Sequence, residues 1–457
     1  MIDWAMPAHA SRRAIGGDCV SLGTLGAPPA GRSWLLAGTV GVGIGAAAGL
    51  SIEIAIGALS VLLALYAFVR SAVKAEVIVA LFWLAFCLYE TVFASITVPG
   101  VFYPFYAAFA LTVAVSLVRH GIRVEPGMLW LYGGFLVVVA VSFIGFTEPI
   151  DFDVAQRVFA YVFGLLIALQ FGSWRGLRPV LVATVTTGVV ISAWVINAAI
   201  QAGFRYRGDI GVDQNIVTFF IGFGAVVALA AAADLIGRTG RRGRLLLLMV
   251  PLGVMLYAIM LLASRGIALA LALAVLAIAA RAVLLDPRKF GAVLIALALA
   301  VSTVALPGGD GLVERFTLQD TQTANDRLPI WVATLDAFTQ GNVYDLFMGR
   351  GFGSSRVVVQ QTFGGLTSTH NAFLQILYEF GIVGLSLFVG LHVVLAWRAF
   401  RLGDGRGIVM FGLVWYLVGV NLSINAPDGP IYWTALGVTL ALGLWGRPRP
   451  EAPAAAP

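Results

Sequence analysis

The sequence predicts an all-α polytopic membrane protein of about 12–14 transmembrane helices with one large external loop. Three observations carry this prediction. Hydrophobic residues make up 60% of the 457 residues, charged residues only 11%, and the mean hydropathy is +0.93. Soluble domains carry about 25% charged residues, so a water-soluble fold would leave most of this apolar surface without a place to hide. The apolar residues run on continuously, as in Leu245–Ala263, whereas an outer-membrane barrel needs short alternating strands. Finally, basic residues recur at every second connection between the runs, the pattern that fixes helix orientation in a bilayer.

Runs of roughly 16–25 apolar residues give the spans. The first two, Trp34–Leu50 and Ile54–Val69, are short and rich in Gly and Ala. As a single re-entrant pair they would lower the count to about twelve. Val77–Val98, Val101–Val118, Met128–Phe146, Val158–Phe171, Pro179–Ile200, Ile216–Asp234, Leu245–Ala263, Gly266–Leu284 and Phe290–Leu306 follow. Ala372–Trp397, Ile408–Leu422 and Gly429–Trp445 lie beyond the long loop. The basic connections hold Arg70/Lys74, Arg119/Arg123, Arg175/Arg178, Arg238/Arg241/Arg242/Arg244, Arg281/Arg288/Lys289 and Arg398/Arg401/Arg406. By the positive-inside rule they face the cytoplasm, with both termini. The net charge of +6 is thus a topology signal and not the mark of a nucleic-acid partner. Residues 1–33 read as a cytoplasmic tail, 34–306 as the first helix group, 307–370 as the external loop, 371–446 as the last helices and 447–457 as a second cytoplasmic tail. Residues 1–31 show no signal-peptide core. Cys19 and Cys87 fall in different compartments, which gives neither a disulfide nor a metal site.

The outward stretch Pro307–Thr369 is far longer than the usual 2–8 residues between packed helices. Leu328, Trp331, Leu335 and Phe338 recur at helical spacing, with Asn325 and Asp326 as expected caps. Gly349-Arg350-Gly351-Phe352-Gly353 forms a Gly-rich turn. The pattern predicts a packed lid, not a linker.

Of four histidines, His9 and His120 lie in cytoplasmic segments and His392 inside a span. His370 is at the outer surface, beside Asn371 and Gln375. It is either a helix-capping polar residue or a base that takes a proton near neutral pH. The outward arginines are exceptions to the charge rule. Arg265 stands at a tight turn between two apolar runs. It is an interfacial anchor or a two-pronged clamp for phosphate. Arg205 and Arg207 flank Tyr206 and suit a phosphate or sugar, or form an ion-pair cluster with Asp209 and Asp213. Arg327 starts the loop helix and either pairs with Asp320 or Asp326 or faces the cavity below. Asp151 and Asp153 form a weak carboxylate pair with no third ligand nearby, and no metal site or cofactor is expected. Glu90 is a polar group within a span, expected to face the bundle interior.

His370-Asn371-Ala372-Phe373-Leu374, followed by Glu379 and Gly381-Ile382-Val383-Gly384, resembles the C-terminal signature of the O-antigen ligase/polymerase superfamily. Ser264-Arg265-Gly266, Arg327 with Trp331, Gly349 to Gly353 and Asp213-Gln214-Asn215 resemble its further motifs, in the same order. The resemblance covers about Tyr206–Leu385. It implies a GT-C-like membrane fold with a periplasmic loop, in the bacterial inner membrane. It implies a metal-independent glycosyltransferase whose donor is an undecaprenyl-diphosphate-linked glycan. The acceptor is lipid A core for a ligase, or another lipid-linked or growing glycan for an O-antigen or exopolysaccharide polymerase. On that reading His370 and Arg265 are catalytic, and Arg205, Arg207, Arg327 and Asn371 bind substrate. The rival class is a lipid-linked glycan flippase. Transporters are built from internal repeats and broken midplane helices, and the two halves of this sequence show no repeat.

Overall fold

The computed structural model describes residues 126–143, 174–203, 213–236, 242–308, 321–364, 369–424 and 429–444, with Val313 and scattered residues between 157 and 168. The regular elements are helices: α1 (Pro126–Val141), α2 (Trp174–Gln201), α3 (Gln214–Leu235), α4 (Arg242–Leu262), α5 (Arg265–Leu285), α6 (Phe290–Val304), α7 (Thr321–Thr339), α8 (Val343–Met348), α9 (Ser354–Phe363), α10 (Ala372–Arg401), α11 (Gly405–Ser423) and α12 (Pro430–Leu444). Among the described residues seven helices are long and apolar enough to cross a membrane, namely those of α2 to α6, α10 and α11. The molecule is an all-α polytopic membrane protein. The four expected spans before residue 119, with Glu90, Cys87 and Asp151/Asp153, lie outside the described residues, as do Arg205 and Arg207.

Of the seven long apolar helices α3 is the most enclosed, with α2, α4, α5 and α11 around it. The closest partnership is α5 with α11. It depends on small residues: a Cβ at Gly419 would come within 2.5 Å of Ala270 Cα, and Gly266 lies against Ser423. Helices in lipid associate through such close backbone approach, because lipid tails are as apolar as leucine. This contact draws the α4–α5 turn against the end of α11.

The connections segregate to two ends. At one end Lys289 lies 3.7 Å from Asp234, Arg281 donates to the Leu402 carbonyl, and Asp404 caps α11 while pairing with Arg406. At the other end lie Asp213, the α4–α5 turn, the start of α10 and the end of α11. The alternation of basic connections predicts this segregation.

Three features differ from the sequence expectations. α7 begins at Thr321, so Asn325 and Asp326 are inside the helix and do not cap it. Its buried side is Ile330, Thr334 and Phe338; of the apolar residues at helical spacing, Phe338 is on that side while Leu328 and Leu335 are exposed. The span beginning at Ala372 is broken. α10 has 30 residues, about 45 Å, against a hydrocarbon core of about 30 Å. At Gly381 the backbone turns non-helical, φ 67° and ψ −169°. The segment 382–401 is about 20 residues, enough to cross by itself. Residues 372–380 form a separate arm.

The break is where the loop helices dock. Gly349 and Gly381 both have positive φ, and a Cβ on either would run into backbone, of Glu379 for one and Phe347 for the other. The helix carbonyls freed by the break accept from the Gly-rich turn: Arg350 N donates to Tyr378 O at 2.9 Å and Gly351 N to Glu379 O at 3.1 Å. Beneath this, the Glu379 carboxylate is fully enclosed. It accepts from Arg157 at 3.0 Å, from Ser355 Oγ of α9 at 2.6 Å and from Gln375 Nε2 at 3.3 Å. The Arg157 guanidinium lies 4.3 Å from the centre of the Phe352 ring. A single carboxylate thus joins the 157–168 segment, the loop and the arm.

Removing one partner of such a pair strands the other charge in a dry interior, at about 3–5 kcal/mol. Glu379→Ala and Arg157→Ala are each expected to lower thermal stability in detergent by that order and to make the 340–364 stretch protease-sensitive. Gly381→Ala is expected to do the same with the ion pair intact. Protease resistance equal to wild type in all three would show that the loop docks by other contacts.

Candidate active site

The loop end of the bundle gathers five chain segments. Asp213 caps α3, its Oδ1 accepting from Asn215 N at 2.8 Å. Ser264 Oγ donates to Asn215 Oδ1 at 3.1 Å, which ties the α4–α5 turn to the start of α3. Ala263 has φ 49°, so the turn reverses within two residues and sets Arg265 as the first residue of α5. Arg327 of α7 reaches across the loop, and its Nη1 donates to Ser423 O at 3.0 Å. That carbonyl belongs to the last residue of α11, a terminus where carbonyls lack helical partners. Arg327 thereby satisfies the α11 end and stands close to Gly266, which packs on the same serine.

His370 enters from the fifth segment. Its φ is 51°, left-handed and uncommon for a residue with a side chain, though histidine tolerates it better than most. Its neighbours hold it there. Trp331 Nε1 donates to Thr369 O at 2.9 Å, Thr369 Oγ1 donates to Asn371 O at 3.0 Å, and Asn371 Oδ1 caps α10 through Leu374 N at 3.1 Å. Of the residues expected to bind substrate, Asn371 therefore uses its side-chain oxygen as a helix cap.

The electrostatics show that these groups are near one another. Burial lowers the His370 pKa, the positive charge of Arg327 lowers it further, and Asp213 opposes them. Burial, then Arg265, pushes the Arg327 guanidinium down from its ordinary value. His370, Arg327 and Arg265 form one cluster, with Asp213 as its acidic member. Loss of proton affinity keeps the imidazole neutral at pH 7, the form able to accept a proton. Two guanidiniums this close suit a polyanion bound between them.

Asp213 belongs to the Asp213-Gln214-Asn215 motif and to the acidic partners expected for Arg205 and Arg207, whereas no sequence pattern marks Ser423. Both act through position: one is a helix-end carbonyl, the other a cap carboxylate. His392 is bound within the bundle, with its ring 6.4 Å from that of Phe373. Its ring nitrogens face Phe388 O and Tyr432 Oη, each at 2.9 Å. Among the described residues no three His, Cys, Asp or Glu side chains converge as metal ligands.

A family model described as O-antigen ligase matches residues 250–389. Over these residues the chain is similar to the O-antigen ligase family. The matched stretch runs from within α4 past the break in α10. It takes in Arg265, Arg327, the Gly-rich turn, His370 and Glu379, the parts that build the cluster and dock the loop. Asp213, Arg157 and Ser423 lie outside it. No curated protein matches the chain.

The two influences on His370 can be separated by titration. In histidine-labelled full-length protein its NMR midpoint is expected below 6.5, the ordinary value. Arg327→Gln removes a repelling charge and is expected to raise the midpoint; Asp213→Asn is expected to lower it. A midpoint at or above 6.5 that ignores Arg327→Gln would take these residues out of one cluster.

Proposed function

We propose that the protein transfers a glycan from an undecaprenyl-diphosphate carrier to an acceptor hydroxyl at the periplasmic face of the inner membrane, as an O-antigen ligase with lipid A core as acceptor. The supporting observation is the convergence of His370, Arg327 and Arg265 at the loop end of the bundle, all within the stretch that matches the family model.

The chemistry follows from the charges. The acceptor hydroxyl attacks the anomeric carbon while the bond from that carbon to the diphosphate oxygen breaks. The hydroxyl must lose its proton, and His370 takes it. Negative charge builds on the departing diphosphate, and Arg265 and Arg327 stabilise it in a site of low dielectric, where fixed cations act most strongly. Arg205 and Arg207 supply further cations from the outward segment before α3, and Asn371 stands beside the histidine as a substrate contact. One displacement inverts the anomeric centre, with no covalent enzyme intermediate and no metal ion. Both termini lie in the cytoplasm on this reading, and residues 307–370 form a periplasmic subdomain. A donor carried on a membrane lipid accounts for a site at the bundle's end.

The test is donor binding measured beside turnover, in membranes where each variant inserts normally. Arg265→Ala is expected to weaken donor binding and to slow transfer about 30- to 1,000-fold, the effect of removing one charged hydrogen-bonding group. Arg265→Lys keeps a charge but loses the planar fork and is expected to recover little. His370→Ala is expected to leave donor binding nearly intact and to slow transfer by about 10²–10⁴. EDTA is expected to leave the wild-type rate unchanged. Unaltered donor affinity and rate in Arg265→Ala would reduce that residue to an interfacial anchor. Products on lipid A core indicate the ligase; long chains on the carrier alone indicate a polymerase.

A further inference from the structure

A cleft of about 650 Å³ opens between the end of α1 and the loop helices, away from the charged cluster. Its polar lining includes Tyr344, Asp345, Arg350, Gln361 and Tyr378. Tyr344 is 60% exposed on the lip. Arg350 lies over the Tyr378 ring, 5.6 Å from its centre, with its Nε 3.9 Å from Asp345 Oδ2. The floor is the Gly-rich turn, fixed by its bonds to the α10 carbonyls.

Two helices measure its distance from the cluster. From Asn371 to Tyr378 along the α10 arm is seven residues, about 10 Å. From Arg327 to Ala337 along α7, where Ala337 also lines the cleft, is ten residues, about 15 Å. Seven residues are two helical turns, so Asn371 and Tyr378 lie on one side of the arm. The cleft is therefore within the reach of a short oligosaccharide whose end is held at His370.

We infer that this cleft is a glycan subsite, which holds sugar units of the chain being transferred at a distance from the reacting end. The inference rests on the reading of the protein as a glycan transferase. The lining suits hydroxyls, each of which both donates and accepts a hydrogen bond. Arg350 offers donors, Asp345 acceptors, and Gln361 and the tyrosine hydroxyl both. An exposed tyrosine face can take the C–H side of a sugar ring while its hydroxyl stays wet. A phosphate fits this cleft poorly, because Asp345 opposes the attraction of Arg350. Neither Arg265 nor His370 reaches this cleft, so it would act on affinity and chain length, not on the chemical step.

The probe is a set of oligosaccharides of graded length, released by mild acid from the surface polysaccharide of cells that make the protein. Binding to the purified full-length chain is read by saturation-transfer NMR. Wild type is expected to bind longer fragments better than single repeats. Tyr344→Ala and Arg350→Gln, both at exposed positions, are expected to weaken binding of the longer fragments roughly tenfold or more, with thermal stability unchanged. Gln361→Ala is expected to give a smaller loss of the same kind. His370→Ala is expected to bind the fragments as wild type does. Absence of binding to wild type, or equal binding by wild type, Tyr344→Ala and Arg350→Gln, would overturn the subsite. The proposed transfer reaction fails separately, if His370→Ala retains full turnover, whatever the fragments do.

Discussion

The Glu379 carboxylate is fully enclosed and takes hydrogen bonds from Arg157, Ser355 and Gln375. Each donor comes from a different element, so the carboxylate fixes three pieces of chain at once. It closes one end of the short arm 372–380, and the cap at Asn371 closes the other. His370 hangs from the capped end. Its position thus depends on an ion pair about two helical turns away, far outside hydrogen-bonding range of the imidazole. A buried pair is weak evidence for net stability, because desolvation offsets much of the attraction. Its strength lies in direction, since a wrongly docked loop would leave a buried charge without a partner.

The loop end of the bundle brings cations together. Arg265 and Arg327 approach one another there, and Asp213 is the acidic group whose influence on His370 is resolved. Such an arrangement favours an anion that enters between the guanidiniums. The opposite end shows the contrasting solution, with Lys289 beside Asp234 and Arg406 beside Asp404. Cations that serve topology are matched locally by acids.

Much of this was legible in the sequence. Composition and run length were enough for the fold class, because few solvents other than a bilayer accept such a chain. His370, Arg265 and Arg327 stood out because charge or titratable polarity at an outer turn is rare. What could not be read was pairing over long separations. Arg157 and Glu379 are 222 residues apart, and Ser423 takes part through a backbone carbonyl, which carries no residue signature. Which face of α7 packs is not legible either, because Leu328, Val332 and Leu335 are as apolar as the residues on its packed side. The break at Gly381 was hidden for a related reason: glycine is common in membrane helices, and only the positive φ distinguishes this one.

That break has a mechanical consequence. A straight helix transmits its tilt along its whole length, and tilt responds to the thickness of the surrounding bilayer. In α10 the membrane-crossing part and the arm bearing the histidine are two rods hinged at Gly381, and Phe373 of the arm rests against Phe388 and His392 of the crossing part. The arm is clamped to the loop turn and to Arg157. A lean of the crossing rod in a thinner or thicker bilayer therefore meets the arm through these rings, while the loop turn and Arg157 hold the arm from its other side.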